Sequence, residues 1–460
     1  MIENLLKKSN KIALIDDKFG EISYSNLKKE TESISNLLES NSLTLLIADN
    51  KYEFIKGYLG FLKKKKTISI LLDISLSDKF YQKIFKKYKP NYVFCPRSKN
   101  HLFNDCKNTL EMEDYNILKS DFNHNKDLNF KNFLLLPTSG TTQSPKLVRL
   151  SKKNLSDNVI KILKYLKINK KNNTTITTMP LGYSYGLSII HTHLYSTSKI
   201  VLNNKSIFER GFWDLIEKNN VNSLNGVPEF FEYLKKLNFE KRLIKSIKYI
   251  TQAGGKMSKD TLLYFGKLCK KNKIKLIIMY GQTEASPRMS FLEWKDFFLK
   301  FRSIGKPLEG YKIKLVDNKK KVIKETMKSG EIVFFGKNVS LGYCNSRKDL
   351  KKGDENKGKL YTGDLAYKDK DNYFFVVGRN NRTIKLFGKR FNLDDVEKYF
   401  KKKNLIVKCK FEKSKIILLV DNNFKEDKEV NLLSNFLNIN KNFIIVKEKT
   451  KSFKNYQNVK

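Results

Sequence analysis

Hydrophobic positions along the chain fall in short runs separated by lysine-rich segments. Leu43 to Ala48, Ile68 to Leu72 and Tyr92 to Cys95 are near-continuous apolar runs bounded by polar turns, which predicts buried strands with helices between them. Strand alternating with helix predicts an α/β layer around a parallel sheet. Nearer the start, Glu21 to Leu27 leads into an amphipathic run through Ile34, Leu37 and Leu38, a strand-turn-helix pattern with Ser25 as candidate cap. Phe133 to Leu136 reads as another buried strand, Lys152 to Tyr165 as a helix, Ile176 to Pro180 as a strand and Glu229 to Leu237 as a helix. Tyr249 onward is a strand ending in Gly254-Gly255, and Lys275 to Met279 is a further strand. Short alternating strands bracketed by residues 303–310 and 329–336 predict a separate β-rich unit. Beyond it, residues 384–397 read as a strand, a glycine turn and a helix capped by Asn392 or Asp394, and Ile416 to Val420 and Phe443 to Val446 complete a small α+β unit.

Composition narrows this picture without naming a chemistry. At 460 residues the chain exceeds one ordinary core, and 40% hydrophobic with 12% aromatic residues is ample for packed interiors. The formal charge of +44 invites a nucleic-acid reading. The lysines, however, are spread along the whole chain, as in Lys63 to Lys66, Lys152-Lys153, Lys235-Lys236, Lys319 to Lys321 and Lys401 to Lys403. They read as a solvated surface, and nucleic acid is not the expected partner. The five cysteines form no C-x-x-C pair, which argues for reduced thiols and against a zinc site. The N-terminal MIENLLKKSNKIALIDD lacks an apolar signal core, and no stretch approaches the roughly 18 uncharged apolar residues of a membrane span. A soluble, cytoplasmic protein is expected.

Chemistry concentrates behind Phe133 to Leu136. Pro137-Thr138-Ser139-Gly140-Thr141-Thr142-Gln143-Ser144-Pro145-Lys146 carries five hydroxyls, a glycine and an ammonium, a composition no packed core would choose. Hydroxyl donors, backbone N–H groups freed by Gly140 and the Lys146 ammonium can together surround a polyphosphate, while Pro145 stiffens the exit. The Walker pattern is excluded, because the second glycine is missing and Leu147 follows Lys146. The order of residues closely resembles the phosphate loop of the adenylate-forming (AMP-binding) superfamily, usually T-S-G-T-T-G-x-P-K-G. That superfamily holds the acyl- and aryl-CoA synthetases and the adenylation domains of peptide synthetases. Gln143 and Leu147 stand where it usually has glycine.

Further strings match the same superfamily in the same order. Leu181-Gly182-Tyr183-Ser184-Tyr185-Gly186-Leu187 resembles P-L-F-H-S-Y-G-L, with two glycines that let the backbone turn tightly between rings. The resemblance implies that Tyr183, Ser184, Val227 and Gly281 border the acid pocket. Ser184 falls where domains selecting α-amino acids place an Asp against the ammonium. Without that carboxylate an α-ammonium would be buried unpaired at a cost of several kcal/mol, so an acyl, aryl or hydroxy acid is favoured. Gly254-Gly255 offers a backbone without Cβ against which a planar base can lie. Tyr280-Gly281-Gln282-Thr283-Glu284 resembles Y-G-x-T-E, which implies Tyr280 stacked on adenine, Thr283 at the α-phosphate and Glu284 on Mg²⁺. Thr362-Gly363-Asp364 resembles the family's T-G-D, which implies ribose binding by Asp364, and Arg379 supplies a guanidinium for ribose or phosphates. His191 and His193 lack a third ligand type nearby and read as packing.

The resemblance also implies a division into 1–380, a large N-terminal nucleotide-binding domain of layered α/β subdomains plus a β-rich subdomain, and 381–460, a small mobile α+β C-terminal domain. Asn381 takes the hinge position, Gly388 and Lys389 line the path of a pantetheine thiol, and Lys454 matches the lysine that bridges substrate carboxylate and α-phosphate. Thr138, Ser139, Gly140, Thr141, Thr142 and Lys146 are then the phosphate contacts. The activity so implied is ATP- and Mg²⁺-dependent conversion of a small carboxylic acid to an acyl-adenylate with release of pyrophosphate. Transfer to CoA or to the phosphopantetheine of an acyl carrier protein follows. An amino-acid-activating protein that loads a carrier is the alternative within the same chemistry. A basic nucleic-acid binder would explain the charge but not the ordered motifs.

Overall fold

The computed structural model describes residue 2 and residues 5–122, 128–138, 146–168, 173–242, 244–379, 383–386, 389–401, 403–405, 407–412, 414–420 and 424–448. The protein is a mixed α/β chain that divides into two compact units, one up to Thr138 and from Lys146 to Val377, the other from Gly378 onward.

Two large sheets dominate the first unit. One runs, in spatial order, through strands Gly342–Cys344, Leu147–Leu150, Leu134–Pro137, Thr67–Asp73, Ser42–Ala48, Tyr92–Pro96, Tyr115–Lys119 and Lys107–Glu111. Its centre is parallel and its flanks are antiparallel. Every residue of Ser42–Ala48 and Thr67–Asp73 is buried, which is why they read as unbroken apolar runs: a parallel sheet is covered on both faces. The other sheet has the order Lys306–Pro307, Arg288–Leu292, Lys275–Gly281, Tyr249–Gln252, Ser223–Gly226, Thr174–Ile176, Lys199–Val201, Ile12–Asp16 and Gly20–Ser23, again with a parallel centre. The expected β-rich unit is a five-stranded sheet of Val322–Ile323, Lys312–Val316, Gly330–Phe335, Lys359–Lys368 and Phe374–Arg379.

Helix boundaries follow local chemistry. The first long helix, Tyr24–Leu37, starts one residue before the expected cap: Ser23 Oγ accepts from Asn26 N at 3.1 Å, while Ser25 Oγ donates to Ser9 O at 2.8 Å. Helix Lys152–Leu166 opens with a capping box between Ser151 and Asn154. Asn154 also donates to the carbonyls of Lys337 and Val339 at 2.8 and 2.7 Å, tying this helix to the loop beyond Gly330–Phe335. The strand expected at 176–180 ends instead at Ile176. The following segment arcs over the start of helix Ser184–Tyr195, where a Cβ on Gly186 would lie 2.2 Å from the Pro180 carbonyl oxygen.

Fully buried Arg149 fastens strand Leu147–Leu150 to its neighbours. Its guanidinium donates to the carbonyls of Tyr343, Leu341, Lys352 and Gly353 at 3.1, 2.9, 2.7 and 3.0 Å and pairs with Glu355. In the second unit, strands Lys408–Glu412, Lys415–Val420 and Ile444–Glu448 form a sheet, and Thr383–Leu386 pairs with Lys389–Asn392. Helices Leu393–Lys401 and Glu426–Leu437 bury Val396, Phe400, Leu433 and Leu437 in one core with Ile416 and Leu418. Among the described residues, no helix is long and apolar enough to cross a membrane.

Candidate active site

The phosphate-loop sequence joins two antiparallel strands, Leu134–Pro137 and Leu147–Leu150, in the first large sheet. Thr138 N donates to Lys146 O at 3.2 Å, so the loop is closed at its base. Leu147, one of the two positions without the expected glycine, is the first residue of the return strand, fully buried and paired with Pro137 and Cys344. The sheet core, rather than phosphate approach, decides that position. Ser139, Gly140, Thr141 and Thr142, like Gln143, lie outside the described residues. Lys146 is exposed, with Nζ 5.5 Å from the ring centre of Tyr343.

Tyr343 connects that lysine to the second motif. Its hydroxyl donates to Glu284 Oε1 at 2.8 Å. Glu284 is 7% exposed, and its other oxygen, Oε2, is buried with no hydrogen-bond partner. An orphaned carboxylate oxygen in a low-dielectric site costs on the order of 1–3 kcal/mol or more. A Mg²⁺ ion is the natural occupant, since Mg²⁺ is commonly held by one or two carboxylates with substrate phosphates and water completing its shell. No cluster of three or more His, Cys, Asp or Glu side chains suited to a metal occurs among the described residues. Sequence reading missed Tyr343; an aromatic between Gly342 and Cys344 in a short strand gave no signal of its own.

Strand Lys275–Gly281 delivers the motif by turning sharply at Gly281, where a Cβ would sit 1.7 Å from the Pro287 carbonyl oxygen. Only glycine fits this crossing. Tyr280 OH donates to Asp364 Oδ2 at 2.6 Å and Gln282 Nε2 donates to the same oxygen at 2.8 Å. Gln282 also reaches Thr362 O at 3.0 Å, and Asp364 N donates to Thr362 Oγ1 at 3.1 Å. The Y-G-x-T-E and T-G-D strings, more than eighty residues apart in the chain, are thus one hydrogen-bonded bracket that holds the Tyr280 ring by its hydroxyl and leaves the ring half-buried. Gln282 is a second residue that sequence reading passed over, as the variable position of its motif.

The acid-pocket string meets the same bracket. Ser184 Oγ lies 3.1 Å from Thr283 Oγ1, at the start of helix Ser184–Tyr195. Gly182 packs against Asp73, where a Cβ would lie 2.4 Å from Asp73 Cα. Asp73 is buried, which raises its carboxyl above the ordinary range against hydrogen bonds from Ser75 N and Oγ at 3.1 and 2.6 Å. Burial likewise pushes up the phenol of Tyr183, with the Asp73 charge adding to the shift. Val227 is half-buried against a cluster of Met179, Tyr185, Ile189, Ala253, Ile277 and Met279. Within it, Tyr185 OH lies 2.8 Å from Thr251 Oγ1, which donates to Asn225 Oδ1 at 2.6 Å. Gly254 and Gly255 form an exposed turn, with Gly254 at φ +89° and Gln252 Nε2 donating to Gly255 O at 2.9 Å.

The two histidines are core groups, as expected. His191 Nε2 lies 2.8 Å from Tyr58 OH and His193 Nδ1 lies 2.8 Å from Ile189 O. Burial holds their imidazoles down, to about 3 and about 4 respectively. Arg379 and Lys389 are described in strand backbone only, and Asn381, Gly388 and Lys454 lie outside the described residues.

The sequence profile described as "AMP-binding enzyme" matches residues 3–344. Among curated proteins, the chain is 28% identical over 261 residues to the oxalate–CoA ligase of Saccharomyces cerevisiae, covering 56% of this chain and 47% of that one. It is 29% identical over 263 residues to the 2-succinylbenzoate–CoA ligase of Enterococcus faecalis, covering 57% and 52%. The chain spans about half the length of the curated relatives it matches. Two solved structures share its fold. Bacillus subtilis o-succinylbenzoate CoA synthetase (MenE), bound with its product analogue OSB-NCoA, has a TM-score of 0.74 at 20% identity, covering 96% of this chain and 92% of that one. IdnL1 has a TM-score of 0.79 at 15% identity, covering 98% of both. With the family profile spanning most of the chain and the motif residues bracketed as described, this protein belongs to the AMP-binding enzyme family.

Proposed function

We propose that the protein activates a small carboxylic acid with ATP and passes the acyl group to a pantetheine thiol. The observation that carries this reading is the single bracket in which Thr283 touches Ser184, Glu284 keeps a buried oxygen without a partner, and Tyr280 and Gln282 are fixed on Asp364. Nucleotide groups and acid pocket then meet at adjacent residues, as an attack of carboxylate on phosphorus requires. In the first half-reaction a carboxylate oxygen attacks the α-phosphorus, the bond to the β-phosphate oxygen breaks, and pyrophosphate leaves. In the second, a thiol of CoA or of a carrier protein attacks the acyl carbon of the adenylate, and AMP leaves with the bonding pair.

Each residue has a defined task. Tyr280 offers a ring face to adenine, Asp364 accepts from ribose, and Thr283 donates to the α-phosphate. Lys146 and the hydroxyls of the preceding loop neutralise the outer phosphates. A Mg²⁺ ion on Glu284 would supply charge neutralisation for the phosphates. Lys454 bridges the acid and the α-phosphate, and rotation of the small domain about Asn381 exchanges it for the thiol path at Gly388 and Lys389. We place the reaction in the cytoplasm, where ATP is abundant and thiols stay reduced, in keeping with described cysteines that form no disulfide. Ser184 supports an acid without an α-ammonium, since no carboxylate stands at that position and its hydroxyl is engaged with Thr283. The test is pyrophosphate release across a panel of acids, followed by CoA or holo-carrier. Acid-dependent release and thioester formation are expected; nucleotide binding without release for any acid would overturn the reading.

A further inference from the structure

Beside the residues expected at the acid pocket is a buried charge that the reaction above does not use. Arg288 opens the strand Arg288–Leu292, directly opposite Gly281 in the antiparallel register, and is 4% exposed. Its guanidinium carbon lies 4.2 Å above the ring centre of Tyr185, the residue after Ser184. Nε is buried with no hydrogen-bond partner, and no carboxylate among the described residues lies within ion-pair distance. Glu229, two residues beyond Val227, also has a buried oxygen without a partner, yet no ion pair joins it to Arg288.

The contrast with Arg149 shows how unusual this is within one molecule. Arg149, also buried, is satisfied by four backbone carbonyls, Asn132 and Glu355. That is how a structural arginine is normally buried, since an uncompensated buried charge is strongly destabilising. A ring face offsets only part of such a desolvation. Around Arg288 stand Tyr185, whose phenol is pushed up to about 12 by burial, and Tyr165, whose phenol burial also raises. In both, the guanidinium charge works against that rise, and for Tyr165 a hydrogen bond with Arg288 does so too, which leaves the guanidinium with a neutral partner but no anion. Tyr165 OH is directed at Met279 Sδ, 2.8 Å away. The Arg288 carbonyl accepts from the buried Asn158 and Asn338 at 3.1 and 2.8 Å, and the two tyrosines pack in turn on the apolar cluster of Met179, Ile189, Ala253 and Ile277.

We infer that Arg288 is a specificity-determining residue that binds a second carboxylate of the substrate, so that the acid activated is a dicarboxylic acid. The inference rests on the acid-activating reading above. The nucleotide phosphates are met by Thr283, Lys146 and the Glu284 site, whereas Arg288 lies opposite Gly281 and on the ring of Tyr185, next in the chain to Ser184. The planar fork of a guanidinium matches a carboxylate in bidentate geometry, and the bound anion supplies the negative charge that no described residue offers it. A monoacid leaves the charge unpaired and is disfavoured for that reason.

The test compares pyrophosphate release from succinate, glutarate, adipate and phthalate with release from butyrate, valerate, hexanoate and benzoate. At least one diacid should exceed its matched monoacid in kcat/KM by about a hundredfold, mainly through KM. In Arg288→Met the advantage of about a hundredfold should disappear, through a fall in diacid kcat/KM together with monoacid rates equal to or above wild type, since the unpaired charge is gone. Arg288→Lys, which keeps the charge and loses the fork, should fall between. The monomethyl ester of the preferred diacid, tested on the unaltered protein, should lose a similar factor and does not depend on a variant folding. Equal use of ester and diacid, or equal loss of mono- and diacid activity in Arg288→Met, would overturn the inference, the latter by placing Arg288 on the reacting carboxylate. Release with monoacids and no diacid preference overturns the inference alone. No release with any acid, from protein that still binds ATP, overturns the acid-activating reading and this inference with it.

Discussion

Tyr343→Phe isolates one hydrogen bond at the proposed metal site. The wild-type hydroxyl donates to Glu284 Oε1 at 2.8 Å, and Glu284 Oε2 is buried without a partner. Removing the hydroxyl deprives a buried carboxylate of a donor while the ring that faces Lys146 at 5.5 Å remains. A hydrogen bond to a charged group contributes about 1.5–3 kcal/mol, and loss of an outer-shell partner commonly weakens metal binding by roughly 10–100-fold. The two figures agree, because about 1.4 kcal/mol corresponds to a factor of ten. The assay is acid-dependent pyrophosphate release titrated with free Mg²⁺ at fixed ATP. The half-saturating Mg²⁺ concentration should rise by about ten- to a hundredfold, and the rate at saturating Mg²⁺ should stay within a few fold of wild type. An unchanged Mg²⁺ requirement would show that Tyr343 does not orient a metal-binding carboxylate. A loss of rate that no Mg²⁺ concentration restores would place Tyr343 at the substrate instead.

Gly281→Ala forces a Cβ to within 1.7 Å of the Pro287 carbonyl, so the turn must open. A cost of about 1–3 kcal/mol or more, read as a lower Tm, should accompany loss of ATP-dependent activity, because Thr283 and Glu284 follow on the same turn. His191 and His193 are held at about 3 and about 4 against 6.5 for a free imidazole. As pH falls below 6.5 the unfolded chain takes up protons that the folded chain refuses, so stability is complete above pH 6.5 and drains between there and about 3. At pH 5 each histidine should cost about 2 kcal/mol, and His191→Gln should flatten the decline in Tm between pH 7 and pH 5; a flat wild-type profile would refute the burial argument. Lys454→Ala should abolish adenylate formation yet leave thioester formation from supplied acyl-adenylate largely intact, and equal loss of both half-reactions would remove Lys454 from the bridging role.

Some features of this protein were legible along the chain because they depend on neighbouring residues alone. Parallel central strands announce themselves as apolar runs, since both faces are covered, and Ser42–Ala48 and Thr67–Asp73 fall where those runs lie. The ordered loop and the Y-G-x-T-E string lie within the residues 3–344 that the family profile matches, because each is a fixed local order of small, hydroxyl and acidic residues that can be read without the fold. Local competition moved the edges: Ser23 rather than Ser25 caps its helix, and the strand expected to reach Pro180 stops at Ile176 because Gly186 draws the following chain over a helix start.

Tertiary structure decided what those strings do together. No spacing rule brings Asp364 to Tyr280 and Gln282, Tyr343 to Glu284, or Ser184 to Thr283, since each pair comes from separate elements that only folding places side by side. Leu147 likewise reads as a defect in a phosphate loop and is in fact a strand residue that the sheet buries completely. Arg288 is the clearest case. In sequence it is one cation among 91 lysines and arginines, and only burial beside Tyr185 without a carboxylate separates it from the rest. Sequence determines which charges exist; the desolvation that makes one of them demand a ligand is a property of the fold.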